Sequence, residues 1–369
     1  MNKEDEQINP FTPLFGRVPA VIAGREEIIA RLSDALESGA ISPELCSIIT
    51  GVRGSGKTTL LRHLSFLAGQ AGWVVASATA EKGMLKELLV KARTSAAHLT
   101  EKEEKRKITQ VNIAPLGSIT WENVSEQDST WRSEITALLD KLSKTNTGIL
   151  FVIDEIDGSL DELIHLVTVF QLLIGENKKV ALFMAGLPYH VSSLLLGKTT
   201  SFLRRAQQFK LHSIPDYAVK EAFRLTIQEA GKEIDEDALD YAVSAIDGFP
   251  YFLQLVGFRS WNASKNSQTV SLKNVKQGVE IAKEELEDRI FASTMEELSQ
   301  GDKEFLFAMN KNSEYTLRSE IAAATKRDSS WISRYKKRLL EAGVIEEPHQ
   351  GEFKFSLPNF AEYLLKKDN

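Results

Sequence analysis

The chain has 369 residues, 43% of them hydrophobic and 26% charged, an ordinary balance for a soluble globular protein of two or three domains. Its net charge of −6 excludes a surface that coats nucleic acid throughout, so any such contact has to be local. A single cysteine, Cys46, excludes an intramolecular disulfide framework and a cysteine-cluster metal site, and no apolar run approaches the roughly 18 residues of a membrane span. The polar residues 1–7 lack the apolar stretch of a signal peptide, and a reducing cytoplasm is the expected setting.

Residues 1–20 hold Pro10, Pro13 and Pro19 with aromatics between them and predict an extended arm, disordered at its tip. Ala23 to Leu32 reads as a helix with an acidic first turn. Leu45 to Thr50 is short, apolar and partly β-branched, the pattern of a buried strand, and Cys46 within it is expected to be a core thiol rather than a nucleophile. Gly51-Val52-Arg53-Gly54-Ser55-Gly56-Lys57-Thr58 follows and fits G-x-x-x-x-G-K-[ST] at every fixed position. Thr59 to Ala68 then carries apolar residues at helical spacing. Strand, glycine loop and helix are the context this motif needs. The glycines let the backbone wrap a polyphosphate, and the helix turns its free N–H groups and dipole toward the same anion. Gly51, Arg53, Gly54, Ser55, Gly56, Lys57, Thr58 and Thr59 are therefore the candidate ATP cradle, with the Thr58 hydroxyl on Mg²⁺.

Trp73 to Ala78 is a second strand, and 83–99 a helix. The mixed-sign run 101–107 reads as a solvated face or loop. Ile108–Ile113 and Gly117–Glu122 alternate around Ala114-Pro115-Leu116 and predict an inserted hairpin at about 106–123. After a helix over 128–145, the strand Gly148–Ile153 ends in Asp154-Glu155. An apolar strand delivering two carboxylates is the second half of a P-loop ATPase site: Asp154 for the Mg²⁺ shell, Glu155 to activate water. Asp157 reads as a loop or cap residue. Strands at 179–185 and near 208–211 complete an α/β, doubly wound parallel sheet, with the acids on a strand neighbouring the P-loop strand.

From Pro215 to about Gln300 the pattern is helical with no strand run, broken by Gly248-Phe249-Pro250, and reads as a lid. The tail predicts three helices and a hairpin, a winged helix-turn-helix. Between Thr316 and Leu340, Arg318, Lys326, Arg327, Arg334, Lys336, Lys337 and Arg338 face only Glu320 and Asp328, a local excess of five positive charges. With Ser330 these cations suit phosphate contact on double-stranded DNA, although such modules also dock proteins. The expected domains are an arm over 1–20, a P-loop core over 21–213, a helical lid over 214–300 and a winged helix domain over 301–369.

Taken together, the pattern resembles the AAA+ ATPases of the origin-recognition type and their prokaryotic ATP-binding relatives, from about Pro13 to Lys367. The resemblance implies that Val21 and Ile22, before Gly24-Arg25-Glu26-Glu27, pack against adenine. It also implies that Arg205, or else Arg204, is an arginine finger for a neighbour's γ-phosphate in an ATP-dependent homo-oligomer. The chain departs from the family twice. The sensor-1 strand ends in Ala185-Gly186-Leu187-Pro188 without a polar side chain, and the sensor-2 region, Gly248 to Gln254, has no arginine, leaving Gln254 as a substitute hydrogen-bonding group. The expectation is a slow ATPase that acts as a nucleotide-dependent switch on DNA. Its rivals are a signalling or defence ATPase, and an ATP-loaded adaptor that recruits a partner protein such as a transposase or nuclease.

Overall fold

A computed structural model describes residues 8–14, 16–38, 42–107, 127–309 and 313–368. Within them the chain forms two compact bodies, one of residues 27–50 and 60–210, the other of the segments before 27, 51–59 and 211 onward. Helix α1 (Glu26–Ser38) starts at the division and continues into the first body.

The first body holds β1 (Cys46–Thr50), most of α2 (Lys57–Gln70), β2 (Val74–Thr79), α3 (Met84–Lys107) and α4 (Gln127–Leu142). It continues with β3 (Ile149–Asp154), α5 (Asp161–Gly175), β4 (Val180–Gly186), α6 (Pro188–Leu196) and β5 (Gln207–Lys210). The five strands are all parallel, in the order β2-β3-β4-β1-β5, and with their flanking helices they make the P-loop NTPase fold. All seven residues of β4 and five of six in β3 are buried, which is why these strands read as continuous apolar runs rather than alternating ones. Burial raises the Cys46 thiol to about 12, so it stays protonated and inert.

One expectation is corrected here. The strand that carries Asp154 is not β1's neighbour, because β4 lies between them. Two interstrand spacings, about 10 Å, therefore separate the ends of β1 and β3. The charged run 101–107 is the last part of α3; opposite charges recurring four residues apart in the sequence favour a helix over a loop. The hairpin expected at about 106–123 lies outside the described residues, except for the helical 106–107.

The second body begins with α7 (Asp216–Glu229), β6 (Glu233–Ile234), α8 (Glu236–Ile246), α9 (Pro250–Ala263), β7 (Thr269–Val270) and α10 (Leu272–Leu286). A π-helical turn, Glu287–Phe291, joins α10 to α11 (Ala292–Glu297). Next come α12 (Gln300–Ala308), β8 (Thr316–Leu317), α13 (Arg318–Thr325), α14 (Ser329–Glu341), β9 (Ile345–Glu346), β10 (Glu352–Phe355) and α15 (Phe360–Asp368). The lid region does contain strands, the parallel pair β6 and β7, each too short to leave a period in the sequence. In the tail, β10 pairs antiparallel with both β8 and β9. One apolar core runs from Phe11 to Leu364. The arm contributes Phe11, buried against Phe223, and pins itself to α9 through Asn9 Nδ2 to the Phe258 carbonyl at 2.9 Å. Among the described residues no helix is long and apolar enough to cross a membrane.

Asp302, wholly buried in α12, ties this body together. It accepts from Arg338 Nε at 3.0 Å and Nη2 at 2.8 Å, and from Ser299 N and Oγ at 3.0 and 2.6 Å. Burial alone would raise its pKa, but the donors of Arg338 and Ser299 outweigh that and hold the carboxyl below the usual range. A depressed folded pKa gives stabilisation that is complete above the unfolded value, about 3.9, and is lost as pH falls through the folded one. Asp302→Asn should therefore cost about 1–2 kcal/mol at pH 7, seen as a lower melting temperature. The gap to the wild-type chain should narrow below about pH 4.

Candidate functional site

The glycine loop leaves β1 at its C-terminal end and belongs to the second body, where its packing is specific. Gly54 and Gly56 stand at φ +75° and +91°, conformations that side chains rarely adopt. A Cβ on Gly54 would meet the Phe249 ring at 2.4 Å, and one on Gly56 would stand 3.9 Å from Pro250. The punctuating Gly248-Phe249-Pro250 of the sequence thus packs against the loop. Helix α2 opens at Lys57, whose Nζ donates to the Gly51 and Val52 carbonyls at 2.8 Å each. Thr58 and Thr59 are half-buried in its first turn, and Arg53 is exposed. The Ser55 hydroxyl is buried without a hydrogen-bond partner.

Arg25, buried just before α1, braces the loop. Its guanidinium donates to Gly24 O at 3.0 Å, His212 O at 2.7 Å and, at the edge of hydrogen-bond range, Ser55 O at 3.5 Å. Burial lowers its pKa, although Glu26 pulls the other way. Sequence reasoning treated Arg25 as part of a motif and missed it as a brace; a buried arginine looks like any other arginine until the fold removes it from water. Val21 and Ile22 are half-buried nearby in the chain, with Val21 packed on the second body's core. Gln254, expected above as a substitute hydrogen-bonding group, is engaged by the arm, its Oε1 accepting Thr12 N–H at 2.9 Å.

The acids belong to the first body. Asp154 ends β3 half-buried, and Glu155 follows, exposed. Asp154 Oδ1 accepts the Glu155 N–H at 2.9 Å. The register aligns Ile153 with Met184, and Ile49 and Thr50 with Ala185 and Gly186. Asp154 and Glu155 therefore stand at the same C-terminal edge from which β1 runs into the loop. Asp157 is a loop residue, accepting from Ser159 N and Oγ at 2.9 Å each. Arg204 and Arg205 are exposed in a short turn, Ser201–Arg205, anchored by buried Leu203; Arg204 Nε donates to Leu195 O at 3.0 Å.

In the tail most of the basic residues are held internally. Arg327 pairs with Glu304 at 2.9 Å, Lys336 with Glu347 at 3.0 Å and Arg338 with Asp302 at 2.8 Å, while Lys337 stays exposed at the surface, 3.8 Å from Glu341. All four acids lie outside the window over which the excess of positive charge was counted. Arg318 Nη2 donates to Ser329 O and Oγ at 2.8 Å and to Ser333 Oγ at 3.0 Å, fastening α13 to α14. A shallow cavity of about 450 Å³ lies there, lined by Arg318, Ser319, Ser329 and Gly351 among others. Lys326, at φ +55°, and Arg334 are exposed, and Ser330 Oγ donates to Asp328 at 2.9 Å.

Residues 21–177 match the AAA ATPase domain family, and residues 288–364 match a domain of unknown function (DUF8462). Three solved structures are similar across nearly the whole chain. The Walker-type ATPase paby2304 of Pyrococcus abyssi superposes with a TM-score of 0.64 at 17% identity, covering 93% of this chain and 96% of its own. The ORC2 protein of Aeropyrum pernix, in its ADP form, gives 0.58 at 15% identity, covering 96% of each chain. Cdc6p from Pyrobaculum aerophilum gives 0.52 at 15%, covering 96% of this chain and 97% of its own. No curated protein sequence matches. Residues 21–177 are thus similar to the AAA ATPase domain, and the chain shares the fold of these archaeal proteins.

Two glycines test the loop. Gly54→Ala should cost at least about 1 kcal/mol in a thermal melt, from the left-handed backbone and the Phe249 ring. Gly69→Ala in α2, where a Cβ would meet nothing within 4 Å, should be neutral or stabilising by up to about 1 kcal/mol.

Proposed function

We propose that this chain is an ATP-binding switch that hydrolyses ATP slowly in the cytoplasm and passes the change of nucleotide state to double-stranded DNA through its C-terminal region. The observation that carries this reading is the loop itself. Two left-handed glycines, a lysine amine resting on the loop's own carbonyls, and a buried serine hydroxyl without a partner fit a polyphosphate anion. Lys57 and the loop N–H groups would hold the phosphates, with Val21 and Ile22 against the base. Thr58 and Asp154 suit Mg²⁺, being a hydroxyl and a carboxylate. When bound, that ion neutralises charge on the β- and γ-phosphate oxygens. Glu155 would orient and deprotonate the attacking water. With Gln254 Oε1 accepting from Thr12, the segment Gly248 to Gln254 supplies no arginine and its one amide oxygen is already engaged, which supports slow turnover. Arg205 is the candidate finger in an ATP-dependent homo-oligomer, and its exposure leaves it available to a neighbour.

For DNA, three helices and a three-stranded antiparallel sheet support a winged helix-turn-helix with α14 as the groove-entering helix. The exposed contacts would be Lys326, Ser330, Arg334 and Lys337, with Arg318 setting their spacing. A second reading, a signalling or adaptor ATPase that recruits a partner protein, draws support from the internal pairing of Arg327, Lys336 and Arg338.

Fluorescent ATP binding and phosphate release test the first part. Lys57→Ala should weaken nucleotide binding at least about tenfold, while Glu155→Gln should bind normally and lose about 100-fold in turnover. Nucleotide binding unchanged in Lys57→Ala would sink the proposal. Duplex DNA titrated at rising salt tests the second part. With Lys326, Arg334 and Lys337 as phosphate contacts, log K should fall against log salt with a slope of about −3. No measurable duplex binding with ATP present would favour the partner-protein reading.

A further inference from the structure

Glu155 adopts φ +52°, the left-handed region that a non-glycine residue enters at a cost and keeps only when its surroundings hold it there. The surroundings here are specific, and all lie in the sheet body. On the N-terminal side, Asp154 Oδ1 accepts the Glu155 N–H. On the C-terminal side, the Ile156 N–H donates to the Ala185 carbonyl at 2.9 Å, bonding the segment to the end of β4. A Cβ on Gly186 would meet Ile156 Cγ1 at 2.6 Å, so the two chains touch there. A Cβ on Gly158 would stand 2.7 Å from Leu194 N, so the same segment presses on α6.

One polar side chain adds to these backbone contacts. His190 Nδ1 lies 3.8 Å from Asp157 Oδ1, beyond a hydrogen bond but within ion-pair reach. His190 is in the first turn of α6, which starts one residue after β4, and the Tyr189 ring stands edge-on to its imidazole at 5.7 Å. Asp157 is itself fixed by two bonds from Ser159. The end of β4 supplies no polar side chain, and Tyr189 and His190 are the first polar residues after it.

We propose that His190 is a positioning residue for ATP hydrolysis, which acts through Asp157 to hold Glu155 in its left-handed conformation. The inference rests on the ATPase reading above. It assigns the task left open by the apolar end of β4 to a residue that pulls on the acid loop.

The test uses the full chain with saturating ATP and Mg²⁺. His190→Ala should lower kcat about tenfold and leave KM within twofold. His190→Lys, which keeps a nitrogen donor facing Asp157, should recover most of the loss. Asp157→Asn should match His190→Ala, and the double variant should be no worse than either single one, as expected for two residues acting as one unit. Backbone hydrogen exchange over 155–160 should quicken in His190→Ala with no nucleotide present. An unchanged kcat, a change confined to KM, losses that multiply in the double variant, or unaltered exchange over 155–160 would each overturn the proposal. Wild-type chain that shows no phosphate release, while exchange still responds to His190→Ala, would remove the ATPase reading and leave the mechanical link standing.

Discussion

A parallel sheet buried on both faces must pair every backbone polar group with its neighbours, and that constraint organises the first body. Strands β3 and β4 are almost wholly apolar, so along their length there is no place for a charge. Polar chemistry is displaced to the edge where the strands stop. Because all five strands are parallel, their C-terminal ends share one edge, and β1 and β3 both end there. The chain leaves the sheet at Thr50 to make the glycine loop and at Asp154 to make the acid loop. Interposing β4 sets the two exits two strand spacings apart, about 10 Å.

Both loops are kept in conformations that an ordinary residue resists. Gly54 and Gly56 meet that demand by lacking a side chain, whereas Glu155 keeps its side chain and is held through its neighbours. The glycine loop is further shaped by the Phe249 ring, the Pro250 ring and the Arg25 guanidinium, all inside the second body. A buried arginine loses the hydration of its charge, and the backbone carbonyls it donates to replace part of it.

The tail illustrates how a count of charges along a sequence differs from a field in space. Between Thr316 and Leu340 the cations outnumber the acids, but Glu304, Glu347 and Asp302 come from elements before and after that stretch and meet Arg327, Lys336 and Arg338 across the fold. The surplus that could face a partner is correspondingly smaller, centred on Lys326, Arg334 and Lys337. The four prolonged contacts of Arg318, Arg327, Lys336 and Arg338 also tie α12, α13, α14 and the hairpin to one another.

Local pattern alone determined the glycine loop, its flanking strand and helix, the acidic strand end and the series of helices beyond. Each of these is encoded within a short window: glycines where φ must be positive, apolar runs where both faces are covered, and caps such as Asp328 at the start of α14. Tertiary structure decided what no window contains. It put β4 between β1 and β3, because strand order follows crossover packing and not chain order. It gave Gln254 to Thr12, Asp302 to Arg338 and Asp157 to His190, pairs separated by tens to hundreds of residues in the chain. Hydrogen bonds and ion pairs act over a few ångströms of space, so their partners are unknown until the backbone has been folded around them.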